Sequence, residues 1–235
     1  MKLKKIDIGT LKHIAFIMDG NRRWATAKGM AASFGHSAGY RSMMAVIRRC
    51  VELGIEYVSF FAWSTENWKR SEEEISKILD IAREKAGEDI EKLMQMGIRF
   101  TTMGDTKKFP KDLQEKLEHI IQKTKNNTRC VLNLCINYGG RDDIVSAVNK
   151  VIASSQKTHI TEKEFEKHLY GTDLPDIDLV VRTSGEQRIS NFMLWKLAYS
   201  EIYFTKKFWP MVNEKFVDEC VIQYNKRTRK FGGNT

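Results

Sequence analysis

The sequence predicts an α/β protein, a single domain with a central parallel sheet of about six strands surrounded by helices. Three observations carry that prediction. Short apolar runs alternate with amphipathic stretches along the chain, the pattern of strand–helix units with crossover connections. One run, Cys130–Ile136 (CVLNLCI), is nearly all apolar, as a strand covered on both faces must be. No Pro/Gly/Ser-rich linker interrupts the 235 residues, which include only 3 prolines.

The elements follow in order. Ile14–Met18 reads as the first strand. Ser42–Leu53 reads as a helix with Met43, Val46, Ile47, Cys50 and Val51 on one stripe and Gly54 as its stop. Ile55–Trp63, rich in aromatic and β-branched residues, is the second strand. Ser71–Met96 is a long amphipathic helix that opens with a Ser71/Glu74 capping-box pattern and acidic residues in its first turn. Ile98–Met103 is the third strand, and Pro110 opens the next helix, where its missing N–H costs little. Cys130–Ile136 is the fourth strand. Asp142–Ala153 is a helix with Ile144, Val145, Val148 and Ile152 turned inward. Asp178–Val181 and Ile202–Thr205 complete the strands, with a helix over Asn191–Tyr199 between them, and Glu214–Lys230 forms a basic closing helix. The domain spans 1–235, with 1–12 as an N-terminal extension and 214–235 as the basic C-terminal helix and tail.

Lys+Arg total 39 against 30 Asp+Glu, a formal charge of +9. Such a balance suits nucleic acid, an anionic membrane surface or phosphorylated substrates, and equally a plain solvated surface. Cys50, Cys130, Cys135 and Cys220 sit in apolar segments without a C-x-x-C pair. Buried, reduced thiols are therefore expected, in keeping with a cytoplasmic protein. The N-terminal apolar stretch is too short for a signal sequence, and no run of about 18 apolar residues suggests a membrane span.

In parallel sheets, ligands bind beyond the carboxyl ends of the strands. Four polar clusters obey this rule: Asp19–Trp24, Ser64–Arg70, Asn137–Arg141 and Arg182–Asn191. Asp19 suits Mg²⁺, which takes one or two carboxylates plus substrate phosphates; it equally suits a helix N-cap. Gly20 permits close backbone approach, and Arg22 and Arg23 offer planar forks for phosphate oxygens. Arg182, Arg188 and Ser190, with neighbouring Ser184 and Gly185, make an anion cradle. In the segment Ser64–Arg70, hydroxyls, an amide, an indole and bases could hold an allylic or aromatic group beside a phosphate; a helix-entry loop is the simpler alternative. His36 is a phosphate donor or a helix-entry residue. Glu201 precedes IYFT, where a lone Glu is usually an exposed strand-edge residue. Walker A, G-x-G-x-x-G, H-E-x-x-H and G-x-S-x-G patterns do not occur, which disfavours the common nucleotide-binding and hydrolase classes.

MDGNRRWA, FGH, STENWKR, NYGGRDDI, DLVVRTSGEQRISNF and RKFGG, running in order from His13 to Gly233, resemble the cis-prenyltransferase family, in particular its bacterial undecaprenyl diphosphate synthases. The resemblance implies a homodimer with an internal hydrophobic tunnel. It also implies a Mg²⁺-dependent transferase that adds isopentenyl diphosphate units in cis to an allylic diphosphate such as farnesyl diphosphate. The product is a long polyprenyl diphosphate, undecaprenyl diphosphate, the lipid carrier precursor for peptidoglycan and other cell-wall glycans. A cytoplasmic location with transient contact at the inner membrane surface, for product release, goes with that role; nucleic acid is not an expected partner.

Residue roles follow by position. Asp19 matches the essential aspartate that binds Mg²⁺ and assists departure of the diphosphate. Gly20, Asn21, Arg22 and Arg23 match the diphosphate-binding turn, and Trp24 and His36 match further substrate contacts. Ser64, Thr65, Glu66, Trp68 and Arg70 match the substrate loop. Asn67 matches the residue assigned to proton removal, although an amide is a poor base and is better suited to orienting the substrate. Arg182, Arg188, Ile189 and Ser190 match the homoallylic diphosphate site, and Glu201 a metal ligand. Tunnel walls are expected among Met43, Met44, Ile47, Phe60, Ala62, Leu79, Ala86, Leu93, Val131 and Leu132, the alternative for each being plain core.

The chain departs from the family pattern in places. Arg22 stands where Gly is common, Ala32 where a basic phosphate contact is common, and Gln187 where a His is frequent. Ser71 replaces a common Pro, and Tyr40 stands where smaller residues are usual and would narrow the tunnel entrance. Arg22 compensating for Ala32 is one expectation. The alternatives to an enzyme are a non-catalytic partner subunit, whose known examples lack the aspartate that Asp19 supplies here, and a nucleic-acid-binding protein, suggested by charge and the Lys226–Lys230 tail.

Overall fold

The computed structural model describes residues 6–154 and 159–227. Six strands form one sheet: β1 (His13–Ile17), β2 (Tyr57–Ser64), β3 (Ile98–Met103), β4 (Cys130–Tyr138), β5 (Leu179–Arg182) and β6 (Glu201–Phe204). The helices are α1 (Asn21–Thr26), α2 (Ala32–Leu53), α3 (Glu72–Met96), α4 (Lys111–Thr124), α5 (Gly140–Ser154), α6 (Glu162–Glu166) and α7 (Glu214–Asn225). The sheet order is β3-β4-β2-β1-β5-β6, with every neighbouring pair parallel. Because β1 and β2 lie in the middle, the segments that follow them emerge side by side on one rim.

Side chains alternate across a strand, and here the two faces meet different covers. Ile14, Phe16, Val58, Phe60, Leu132, Leu179 and Val181 join residues of α2, α3, α4 and α7 in one core. Ala15, Ile17, Val131, Cys135 and Val180 join Tyr138, Leu174, Ile177, Phe192 and Met193 in a second. On the first face, the rings of Phe16 and Phe60 stack at 5.3 Å, and Trp209 lies 5.8 and 6.0 Å from them. Aromatic pairs of this kind contribute about 0.5–1.5 kcal/mol beyond burial. Trp209 also ties elements together: its indole N–H donates to Gly39 O at 2.8 Å, and its backbone N–H to Asp19 O at 3.0 Å.

On the second face a row of polar side chains crosses four strands. The Ser59 hydroxyl lies 2.8 Å from His13 Nε2, Asn133 Nδ2 donates to Ser59 Oγ at 3.2 Å, and Thr101 Oγ1 to Asn133 Oδ1 at 3.4 Å. His13 Nδ1 lies 2.9 Å from Pro175 O. A carbonyl can only accept, so Nδ1 carries the proton and Nε2 receives the Ser59 hydroxyl. His13, Ser59 and Asn133 are 0–1% exposed, so the row is a satisfied network rather than a site open to ligands.

The structure corrects four expectations. Helix α2 begins at Ala32 rather than Ser42. Its first turns carry small and polar residues that pack on α1, which hides the apolar period. The expected helix over Asn191–Tyr199 is a series of turns. Ser190, Asn191 and Met193 have φ of 49°, 63° and 35°, left-handed values that break the helical hydrogen-bond ladder. Asn191 instead serves α5, its backbone O accepting from Gly140 N–H at 2.7 Å and its Oδ1 from Arg141 N–H at 2.8 Å. On α5 the buried residues are Gly140, Asp143 and Ala147, whereas Val145, Val148 and Ile152 are 58%, 42% and 71% exposed. The apolar stripe of α5 therefore faces outward, not inward. Finally, α7 ends at Asn225; the rest of the expected basic helix from residue 228, and the RKFGG motif, lie outside the described residues.

Other expectations hold. Helix α3 starts after Ser71, whose side chain accepts from Glu74 N–H. All four cysteines are free and buried. Among the described residues no helix is long and apolar enough to cross a membrane.

Candidate active site

The site begins where β1 ends. Asp19 follows the buried strand, and Gly20 turns the chain with φ 103°. A Cβ at Gly20 would come within 2.7 Å of Phe208 Cδ1 and 3.0 Å of Ser184 Oγ, so this position needs glycine both for its φ and for the close approach. At Gly39, on α2, a Cβ would come within 2.3 Å of Asn21 Oδ1. The missing side chain there leaves a slot for the Asn21 amide.

Asp19 is held in a lattice of guanidiniums. Its Oδ2 accepts from Arg182 Nη2 at 2.8 Å, and its Oδ1 is 3.6 Å from Arg23 Nη2. Arg182 is 4% exposed; its Nη1 donates to Ser190 Oγ at 2.8 Å and to the Arg188 carbonyl. Thr183 Oγ1 donates to Asp19 O at 2.7 Å. Arg23 also pairs with Glu186 at 2.9 Å, and Glu186 with Arg188. The β1 and β5 clusters are thereby locked into one cationic wall. The carboxylate compensates the buried Arg182 charge, which would be costly alone.

The β2 cluster forms the opposite wall. A short 3₁₀ turn, Thr65–Lys69, is closed by a capping box in which Asn67 Oδ1 accepts from Ser64 N–H at 3.0 Å. Asn191 Nδ2 donates to Glu66 Oε1 at 3.2 Å. Burial raises the Glu66 carboxyl pKa, but hydrogen bonds from its own backbone, Ser64, Asn191 and Thr65 outweigh this and lower it overall. Arg70 Nη1 is 3.2 Å from Glu74, and His36 Nε2 is 4.0 Å from the same carboxylate. Burial first, then the Arg70 charge, pull the His36 pKa below its ordinary value, against the effect of Glu74.

A polar cavity of about 590 Å³ lies between these walls. Asp19, Asn21, His36, Ser64, Glu66, Asn67, Arg70, Arg182, Arg188 and Ser190 all line it. Gly20, Arg22, Arg23, Trp24, Thr65, Trp68, Ile189 and Glu201 do not, though Gly20 and Arg23 adjoin Asp19. Trp24 lies under the Lys28 ammonium, 4.9 Å from its ring centroid, and Arg22 is exposed. The Asn137–Arg141 cluster supports rather than lines: Asn137 Oδ1 accepts from Trp68 Nε1 at 2.8 Å, and the start of α5 holds Asn191.

A second cavity, of about 240 Å³, is apolar and runs between the sheet and α2, α3 and α4. Of the expected walls, Met43, Met44, Ala62, Leu79, Ala86, Leu93 and Leu132 line it; Ile47, Phe60 and Val131 do not. Val131 points to the other face, and Phe60 is covered by Phe16 and Trp209. Tyr40 does line it, with the Lys85 ammonium 5.6 Å from its ring centroid. Met18, Asn21, His36, Ala62, Trp63 and Ile78 border both cavities, so the polar space opens into the apolar one. Trp63 and Asn191 were not singled out from sequence. The available signal for Trp63 was its place as the last buried position of β2 before STENW.

Glu201 is the first residue of β6, paired in register with Leu179 and bonded to Arg227. In a parallel sheet that is the amino rim, opposite Asp19. The structure does not bring Glu201 to Asp19, and among the described residues no group of three His, Cys, Asp or Glu could hold a metal.

Comparison with known proteins gives the family of the chain. The family model Prenyltransf, described as "Putative undecaprenyl diphosphate synthase", matches residues 17–232. An isoprenyl transferase of Fusobacterium nucleatum is 45% identical over 222 residues, covering 94% of this chain and 96% of the relative. A ditrans,polycis-undecaprenyl-diphosphate synthase ((2E,6E)-farnesyl-diphosphate specific) of Vibrio cholerae is 43% identical over 226 residues, 94% of this chain and 90% of the relative. Among solved structures, lavandulyl diphosphate synthase from Lavandula x intermedia, in complex with dimethylallyl diphosphate, superposes with a TM-score of 0.92 at 34% identity, covering 95% of this chain and 99% of that one. A "probable undecaprenyl diphosphate synthase" from Campylobacter jejuni gives a TM-score of 0.81 at 33% identity, covering 96% and 100%. The chain belongs to the undecaprenyl diphosphate synthase family of cis-prenyltransferases.

Proposed function

We propose that the protein adds isopentenyl diphosphate, in cis, to an allylic diphosphate primer, farnesyl diphosphate foremost, and elongates it to undecaprenyl diphosphate. One observation carries this reading: a cationic mouth at the strand ends opens directly into an apolar cavity. That shape fits a ligand with a charged head and a growing hydrocarbon tail. Each buried CH₂ contributes about 0.8 kcal/mol, so each added unit favours occupancy of the cavity. The names of the relatives are those of enzymes, which does not favour a non-catalytic subunit.

The chemistry follows from the residues of the mouth. The allylic C–O bond breaks and its electron pair leaves with the diphosphate. The isopentenyl double bond attacks the electron-poor carbon, and the proton lost from the isopentenyl unit passes to the released diphosphate. Arg23, beside Asp19, stabilises the negative charge as it develops, while Arg182, Arg188 and Ser190 hold the incoming isopentenyl diphosphate. Asn67 orients substrate through its loop, since its Oδ1 already accepts from Ser64 N–H. Neutral His36 is suited to hydrogen bonding.

Mg²⁺ is proposed as the cofactor. The donor set fits an ion that takes one carboxylate and completes its shell with substrate phosphate and water: the Asp19 side chain is 33% exposed, and among the described residues its Oδ1 has only the 3.6 Å contact with Arg23. When bound, Mg²⁺ would supply charge neutralisation at the diphosphate. Glu201 would serve this ion only if brought from elsewhere.

The exposed stripe Val145, Val148 and Ile152 supports a homodimer through α5, and the charge of +9 supports transient contact with an anionic membrane surface. Incubation with farnesyl diphosphate, labelled isopentenyl diphosphate and Mg²⁺, read by product mass, tests the reading. A ladder ending near eleven isoprene units is expected from the proposed product; absence of Mg²⁺-dependent product from any allylic primer contradicts it.

A further inference from the structure

Six residues form the neck between mouth and cavity: Met18, Asn21, His36, Ala62, Trp63 and Ile78. Three are apolar. The other three each leave a buried polar atom without a partner: Asn21 Oδ1, His36 Nε2 and Trp63 Nε1. Among the described residues only Arg182 Nε, beside Asp19, and Ser184 Oγ, facing Gly20, share that condition. Buried donors and acceptors left unmade are costly and rare. The donors among them, Trp63 Nε1 and Arg182 Nε, point to a ligand that brings acceptor oxygens to the neck.

Asn21 and His36 already belong to the substrate reading, whereas Trp63 does not. It is 4% exposed and held on several sides. Trp68 packs against it edge-on at 5.1 Å and Phe109 at 6.2 Å, and the Arg70 guanidinium lies 5.9 Å from its ring centroid. Three other tryptophans find acceptors for their indole N–H: Trp68 in Asn137, Trp195 in Glu166 and Trp209 in Gly39. Trp63 therefore presents a fixed donor at the neck with no acceptor among the described residues.

We propose that the Trp63 indole N–H donates to a diphosphate oxygen of the allylic substrate where its head joins its tail, setting the depth at which that substrate sits. The inference rests on the transferase reading. A ligand with its head in the mouth and its chain in the cavity must place that junction at the neck. As the C–O bond breaks, charge builds on this oxygen and the hydrogen bond strengthens. The homoallylic site formed by Arg182, Arg188 and Ser190 borders the mouth alone, so the donor selects for the primer.

Trp63→Phe keeps a ring and removes the donor. The expected result is a rise of about tenfold in KM for farnesyl diphosphate, with KM for isopentenyl diphosphate unchanged. No rise, or an equal rise for both substrates, overturns the proposal. A measurement on the unmodified protein does not depend on the variant folding or on turnover. The indole ¹H–¹⁵N signal of Trp63, assigned by elimination against single Phe variants of the other tryptophans, should move downfield on adding farnesyl diphosphate alone. An unmoved signal overturns the proposal even if the protein makes product. A moved signal in a protein that makes none would instead sink the transferase reading and keep the diphosphate contact.

Discussion

The two faces of the sheet are built from the same strands and do opposite things. On one, α2 and α3 stand off the sheet and leave an apolar cavity that opens at the carboxyl rim. On the other, α5 and the turns before and after β5 close down onto the strands. There Phe61 and Phe192 stack at 4.7 Å, and the His13–Ser59–Asn133–Thr101 row seals the middle. The difference shows where the chain keeps its free space. Reactive groups and hollow volume share one face and one rim, and the other face acts as a wall.

That contrast predicts which property each change disturbs. Asp19→Asn, at the rim, should lower kcat by roughly 100- to 1,000-fold, measured on the folded fraction because the neutral amide no longer compensates the buried Arg182 charge. A variant with full kcat would remove the rim from the chemistry.

On the wall the disturbance should be in stability. Burial, chiefly, and the Lys196 charge lower the His13 pKa from 6.5 to about 4, against the pull of Pro175, Asp178 and Asp176. The folded protein thus favours neutral His13. This stabilisation is complete above pH 6.5 and disappears as pH falls through about 4, a loss of roughly 3 kcal/mol. Denaturant unfolding of the wild type and of His13→Gln across that window measures it; equal pH slopes in the two proteins would contradict the assignment. Ser59→Ala, which cuts the same row, should cost about 1–3 kcal/mol with both KM values unchanged, so a shift in KM would mean that the wall is not inert.

The smallest effect concerns primer affinity. Arg22 is exposed in α1 and Ala32 opens α2. If Arg22 compensates for the absent base, Arg22→Gly should weaken farnesyl diphosphate binding several-fold, about 1 kcal/mol, and Ala32→Arg should restore it. Unchanged affinity in Arg22→Gly together with a gain in Ala32→Arg would show that no compensation exists.

The two faces also differed in how well the sequence revealed them. Strand β3 and the Ser71 start of α3 were legible to the residue, because strong apolar periods and a capping serine mark them. The mouth was legible because its residues directly follow apolar strands. The wall was not. Positive φ at Ser190, Asn191 and Met193 leaves no trace in an apolar pattern, and α5 turns its apolar stripe away from the sheet. The short helix α6 had a readable sign, the Thr161/Glu164 capping box, but only five residues of helix behind it. Orphaned atoms such as Trp63 Nε1 are invisible in one dimension, since a partner can be missing only once every neighbour is placed.

The central claim is that the cavity under α2 and α3 holds the growing chain. Ala86 lines it from α3, and Ala86→Trp would fill part of it without touching the mouth. The decisive measurement is the mass distribution of products from farnesyl and isopentenyl diphosphates in this variant. Shorter products at near wild-type KM values are predicted; full-length product from a folded variant would contradict the account.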